Sequence, residues 1–144
     1  MKKLMILNLY LLANIFASGQ ANDKQKIERA CLDYLEGFYE GDTVKLIRSL
    51  KPTLYKFGYW RDKVGKYAED GQMTFRDAVK YAANVQAKKN FAKTDASKKV
   101  EVLDVMDQIA AAKVTAWWGW DYILLAKRGD QWIIEQVLWQ GPPK

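Results

Sequence analysis

The sequence contains no histidine and only one cysteine in 144 residues. The first absence removes whole classes of chemistry. Without an imidazole there is no Ser-His-Asp or Cys-His nucleophile system, no histidine general base and no histidine-ligated metal. A lone thiol, Cys31, cannot form an intramolecular disulfide, a CxxC redox pair or a cysteine-built zinc site, so no metal site is expected. Strong charge of one sign is also missing. The chain has 23 Lys+Arg against 17 Asp+Glu, a formal net charge of +6. Its densest basic stretch, Lys88, Lys89, Lys93, Lys98 and Lys99, falls between a helical and a strand pattern, where a solvated connecting loop belongs. A dedicated nucleic-acid binder concentrates its positive charge on one face, so no nucleic acid is expected as a partner. What is abundant is apolar: 49% of the residues are hydrophobic, and six are Trp. A chain of this length can bury a core without staples.

Met1-Lys2-Lys3 is followed by an apolar run from Leu4 to Phe16 and then by small residues, Ala17-Ser18-Gly19. A basic start, a short hydrophobic stretch and small residues are the pattern of a secretory signal peptide. The run is too short to span a bilayer comfortably, which takes about 18–20 residues; the alternative reading is a short N-terminal membrane anchor. The expectation is a cleaved leader over residues 1–19, a single domain over residues 20–144, and an extracytoplasmic destination, periplasmic or secreted.

Ile27, Cys31, Tyr34 and Phe38 recur at helical spacing on one face. Cys31 then reads as a small apolar core residue. Gly41 stops this helix, Asp42 caps a short second one carrying Val44, Ile47 and Leu50, and Pro52 ends it. Leu54 to Trp60 suits a short strand, with turns at Arg61–Gly65 and at Asp70-Gly71. Thr74, with Asp77 three residues on, makes an approximate capping box for a third helix to about Ala87. The period then changes to two. Val100–Met106, Ile109–Trp117, Trp120–Lys127 and Gln131–Trp139 read as four strands, the last two joined by a hairpin at Gly129-Asp130. Arg128-Gly129-Asp130 spells an adhesion tripeptide, but Gly and Asp are required there by the turn itself. The order predicts an α+β fold with helices packed on a curved meander.

This order, with Leu32-Asp33-Tyr34-Leu35-Glu36-Gly37-Phe38-Tyr39-Glu40-Gly41-Asp42 near the start and Asp121 to Lys127, Gly129-Asp130, Trp132-Ile133-Ile134 and Val137-Leu138-Trp139 near the end, resembles the nuclear transport factor 2-like superfamily. Within it the chain looks most like the "putative lumazine-binding" family, related to the SnoaL-like polyketide cyclases. The resemblance implies a cone formed by three N-terminal helices packed on a curved antiparallel sheet, with a pocket at its open end. Such proteins often carry His-Pro-Asp after the second helix; here it is Lys51-Pro52-Thr53. Catalytic members commonly use a His-Asp pair or paired acids.

A two-residue turn at Gly129-Asp130 pairs Arg128 with Gln131 and Leu124 with Glu135. One face of the last two strands then carries Asp121, Ile123, Leu125, Trp132, Ile134, Gln136 and Leu138; the other carries Trp120, Tyr122, Leu124, Ile133, Glu135, Val137 and Trp139. By the resemblance the first face lines the pocket. Asp121 is its catalytic candidate, because a carboxyl group in an apolar pocket holds its proton more tightly and can shuttle it; the alternative is a structural bond at the Trp118-Gly119 bend. Tyr34 or Tyr39 could donate to an oxyanion. The candidate ligand-binding set is Tyr34, Phe38, Trp117, Asp121, Ile123, Trp132 and Gln136.

The leading expectation is a non-catalytic domain that binds a small apolar or planar molecule and needs no cofactor. The alternatives are an isomerase, cyclase or dehydratase-type enzyme using Asp121 near a carbonyl, and a structural domain whose pocket is filled by its own aromatics. The second sheet face is also apolar and must be covered, which predicts a homodimer through the outer face of the sheet.

Overall fold

The apolar stripe of the first helix faces the sheet, and this contact organises the fold. The computed structural model describes the backbone of residues 2–142 and the side chains of residues 21–142; the leader expected over residues 1–19 lies outside the described side chains. Helix α1 (Lys2–Glu40) is followed by α2 (Thr43–Ser49), strands β1 (Leu50–Arg61) and β2 (Tyr67–Met73), helix α3 (Phe75–Lys88), and strands β3 (Lys99–Val105), β4 (Ile109–Ala116), β5 (Gly119–Arg128) and β6 (Gln131–Gln140). Ile27, Cys31, Tyr34 and Phe38 are all buried, as their spacing requires. Burial pushes the Cys31 thiol up to about 12, which suits an inert core residue.

Helix α1 ends at Gly41, in the left-handed region with φ of +69°. Its Cα packs so close to α3 that a Cβ would lie 2.6 Å from the Gln86 backbone nitrogen. Only glycine meets both demands. Asp42 caps α2 by accepting from the Val44 and Lys45 amides. Within α2 the expected face is corrected: Val44 and Ile47 are exposed, and Leu46 and Ser49 are the buried residues, while Leu50 is buried as the first residue of β1. Thr74 and Asp77 form a complete reciprocal capping box at the start of α3. Among the described residues no helix is long and apolar enough to cross a membrane.

The six strands lie in the order β2-β1-β6-β5-β4-β3. This overturns the cone expected from the resemblance. The sheet is open, with β2 and β3 as edges at opposite ends, and it is neither closed nor strongly curled. Both edges are polar: β2 carries Glu69 and Asp70, and β3 carries Lys99, Glu101 and Asp104. Polar edges resist pairing with further strands. The sheet is also mixed, since β1 runs parallel to β6 while the remaining neighbours are antiparallel. Nor are all three helices N-terminal, because α3 follows β2.

Two local departures matter for the site. Strand β2 was hidden because it is a mostly exposed edge without apolar alternation, so Asp70-Gly71 read as a turn; Asp70 instead pairs with Gly58 of β1. The hairpin forms as expected, with Arg128 opposite Gln131. Further along, Leu124 pairs with Gln136 and Leu125 with Ile134, so Glu135 is an extra residue on β6. A bulge of this kind exchanges the faces beyond it. Asp121, Ile123, Leu125, Trp132 and Ile134 are buried on the helix side as expected. Beyond the bulge the expected faces are reversed: Gln136 and Leu138 are outward, and Val137 is buried.

Candidate functional site

Alternation along β1 buries Leu54, Lys56 and Gly58 on the helix side. A lysine in that series needs a partner, because burying an unpaired ammonium is costly. Lys56 Nζ lies 3.7 Å from Asp121 Oδ2 and donates to Tyr34 Oη at 2.9 Å. The Tyr34 hydroxyl in turn donates to Asp121 Oδ2. Trp118 completes the set, its indole N–H donating to Asp121 Oδ1 at 2.8 Å. Four elements of the chain therefore converge: α1 supplies Tyr34, β1 supplies Lys56, the β4–β5 turn supplies Trp118 and β5 supplies Asp121.

The electrostatics follow from burial. Asp121 is 0% exposed and accepts from two side chains while facing the ammonium, so its charge is compensated. Burial pushes Lys56 below its usual range, and Asp121 opposes that shift. Burial, reinforced by the Asp121 charge, holds the Tyr34 hydroxyl well above its usual range, so it stays a neutral donor. No buried side-chain nitrogen or oxygen among the described residues lacks a hydrogen-bond partner.

Lys56 is the floor of a cavity of about 290 Å³. Its walls are Phe38, Tyr81, Trp117, Trp118 and Trp139, with Asp70, Gly71 and Met73 of β2 also lining it. The rings meet edge to face, Trp118 against Phe38 at 5.7 Å and against Trp117 at 5.6 Å between centroids, a geometry that favours aromatic contact. The Lys56 ammonium lies 5.5 Å from the centroids of Tyr34 and Trp139 and 6.0 Å from that of Trp118, within cation–π range.

Of the residues predicted from sequence, Phe38 and Trp117 line this cavity, and Tyr34 and Asp121 lie immediately beneath it through Lys56. Ile123 is buried but does not line it. Trp132 is packed elsewhere, its indole N–H donating to Asp23 at 3.1 Å. Gln136 is on the opposite face of the sheet, because of the bulge at Glu135; it lines a second cavity there, of about 460 Å³, with Leu124 and Ala111. Tyr39 is used structurally, donating to the Ser97 carbonyl and accepting from the Trp117 amide. Lys51 is far from any such role, paired with Glu135 at 2.5 Å. Among the described residues no cluster of three or more acids or cysteines could hold a metal. Lys56 was missed, although its place two residues after Leu54 in an alternating strand is a readable signal.

A family profile described as "Putative lumazine-binding" matches residues 22–140. Solved structures of similar fold include an NTF-2 like protein of unknown function from Silicibacter pomeroyi DSS-3, 16% identical over 88% of this chain and 98% of that one, with a TM-score of 0.62. A second, from Shewanella baltica OS155, is 15% identical over 86% and 97% with a TM-score of 0.65. A third, from Methylobacillus flagellatus KT, is 20% identical over 83% and 92% with a TM-score of 0.63. Among curated proteins none matches the chain. At these identities the likeness concerns the fold.

Proposed function

Because the chain belongs to the "Putative lumazine-binding" family of the nuclear transport factor 2-like superfamily, we propose that it is a small-molecule-binding domain whose ligand occupies the aromatic cavity above Lys56. The observation that carries this reading is the cavity itself: about 290 Å³, walled by aromatics, with one buried polar group at its floor. That is the composition of a small-ligand site at the lower end of the usual size range. Binding is favoured over turnover because Asp121, the candidate acid, is fully enclosed and already engaged by Tyr34 and Trp118. A proton could reach a ligand from it only through Tyr34 or Lys56.

Three Trp residues line the cavity, so a planar ligand should quench intrinsic fluorescence. A ligand at a hundred times its Kd should also stabilise the fold by about 2.7 kcal/mol, read as a rise in Tm. A broad panel of planar compounds that changes neither signal at saturating concentration would overturn the reading.

On the same reading the protein acts as a homodimer outside the cytoplasm, the leader composition of residues 1–19 supporting export. The support for pairing is the outer face of the sheet, where Tyr55 and Tyr59 of β1, Leu138 of β6 and Tyr122 and Leu124 of β5 are exposed on adjacent strands. A contiguous apolar face of this kind favours being covered. Light scattering should give a dimer at micromolar concentration, and Leu138→Glu should weaken it at least tenfold. A monomer for the unaltered protein at that concentration would count against the dimer.

A further inference from the structure

The aromatic cavity has one directed donor, and its setting restricts what the ligand can be. An ammonium carries three N–H donors. Lys56 spends one on Tyr34 Oη at 2.9 Å, and Asp121 Oδ2 stands 3.7 Å away. Lys56 also lines the cavity, and ring centroids surround its Nζ at 5.5–6.0 Å. Ring faces attract a cation but accept no well-directed hydrogen bond. A ligand oxygen is the group that would complete this donor set.

The charges decide which oxygen. Lys56 is matched by Asp121, and a second carboxylate, Asp70, lines the same cavity and acts electrostatically on Lys56. With these three groups ionised the formal sum is negative. An anionic ligand would sit near two carboxylates, the buried Asp121 and the exposed Asp70, and a cationic one would meet the buried Lys56; like charge disfavours both. A neutral oxygen acceptor avoids both penalties, and the aromatic walls favour a planar body.

We propose that this cavity selects a neutral planar molecule bearing a carbonyl oxygen, and that Lys56 is the residue that seats that oxygen. The proposal rests on the cavity being the binding site and names the class of ligand it takes. A hydrogen bond from a buried charged donor discriminates against analogues lacking the acceptor.

Three probes with one ring system test it: 2-acetonaphthone, 2-naphthoate and 2-ethylnaphthalene, titrated against Trp fluorescence and by calorimetry. The expected result is that the ketone binds the unaltered protein at least tenfold tighter than either of the others. In Lys56→Met the ratio of ketone to hydrocarbon affinity should fall to about one. Because Lys56→Met leaves Asp121 without its cation, Lys56→Met combined with Asp121→Asn serves as the second variant. Should both fail to fold, the ranking on the unaltered protein decides alone. Tighter binding of naphthoate would overturn the proposal in favour of an anion site. Equal binding of ethylnaphthalene would overturn it in favour of a purely apolar pocket, and a ketone preference surviving in a folded variant would show that Lys56 is not the anchor. If none of the three binds, the cavity itself fails as the site, an outcome distinct from these.

Discussion

Asp121→Leu should lower stability by about 3–5 kcal/mol, the usual consequence of removing one partner from a buried charge pair. Three groups lose their acceptor or counter-charge at once: the Tyr34 hydroxyl, the Trp118 indole N–H and the Lys56 ammonium. None can turn to water without disturbing the cavity floor. Leucine fills the volume, so the loss is electrostatic and hydrogen-bonding in origin rather than a cavity effect. Asp121→Asn, which retains an acceptor oxygen, should cost less, and adding Lys56→Met to it should recover part of the loss because no uncompensated charge remains. Urea unfolding measures all three. A loss below about 1 kcal/mol for Asp121→Leu would show that the cluster is solvated rather than buried.

The pH dependence of the same variant checks the cause. In the intact protein burial already pulls Lys56 below its usual range, against the pull of Asp121. Without Asp121 the burial is opposed only by the charge of the exposed Asp70. The unfolded chain keeps the lysine proton to about pH 10.4, whereas the folded variant releases it at lower pH. Between those values the unfolded state binds more protons, so stability rises with pH there, by at most about 1.4 kcal/mol per pH unit, and falls as pH is lowered. Asp121→Leu should therefore be more stable at pH 9 than at pH 7 relative to the unaltered protein. A flat difference between the two would remove Lys56 from the explanation.

The members of this cluster were unequally legible. Tyr34 was found because helical spacing fixes a face without reference to anything distant, and Asp121 because the Gly129-Asp130 turn sets the nearby register. Gln136 and Leu138 went to the wrong side because a single extra residue, Glu135, carries no composition signal yet reverses everything beyond it. Lys56 depended on two facts that local pattern does not contain. Strand β1 begins at Leu50 and runs through Pro52, which is tolerated because the pairing with β6 is irregular between Leu50 and Tyr55. That strand also returns beside the last one in parallel, and this non-local pairing brings Lys56 under Trp139. The edge strand β2 was invisible for the opposite reason: with little to bury, it needs no alternation. The cavity wall it supplies, Asp70, Gly71 and Met73, could not be placed before the strand itself was seen.

Gly58→Ala should cost about 3 kcal/mol and weaken ligand binding together. A Cβ on Gly58 would lie 2.1 Å from the Trp139 carbonyl oxygen and 2.5 Å from its indole ring. Neither can yield cheaply. The carbonyl belongs to the backbone of β6, and Gly58 is paired with Trp139 in the parallel ladder that holds β1 in the sheet. The indole is rigid, and its face lies 5.5 Å from Lys56 Nζ while forming a wall of the cavity. Relief therefore requires the two strands to separate or the ring to swing into the cavity; overpacking of this kind costs about 1–3 kcal/mol and occasionally more. Either relaxation changes the site. Gly71 is the control from the same cavity: its added Cβ would meet nothing within 4 Å, so Gly71→Ala should stay within about 0.5 kcal/mol of the parent. Urea unfolding compares the stabilities, and titration of the naphthalene probes reads the cavity. If Gly58→Ala unfolds with the same midpoint as Gly71→Ala, the close approach of Trp139 to β1 is wrong, and with it the wall that holds a ligand over Lys56.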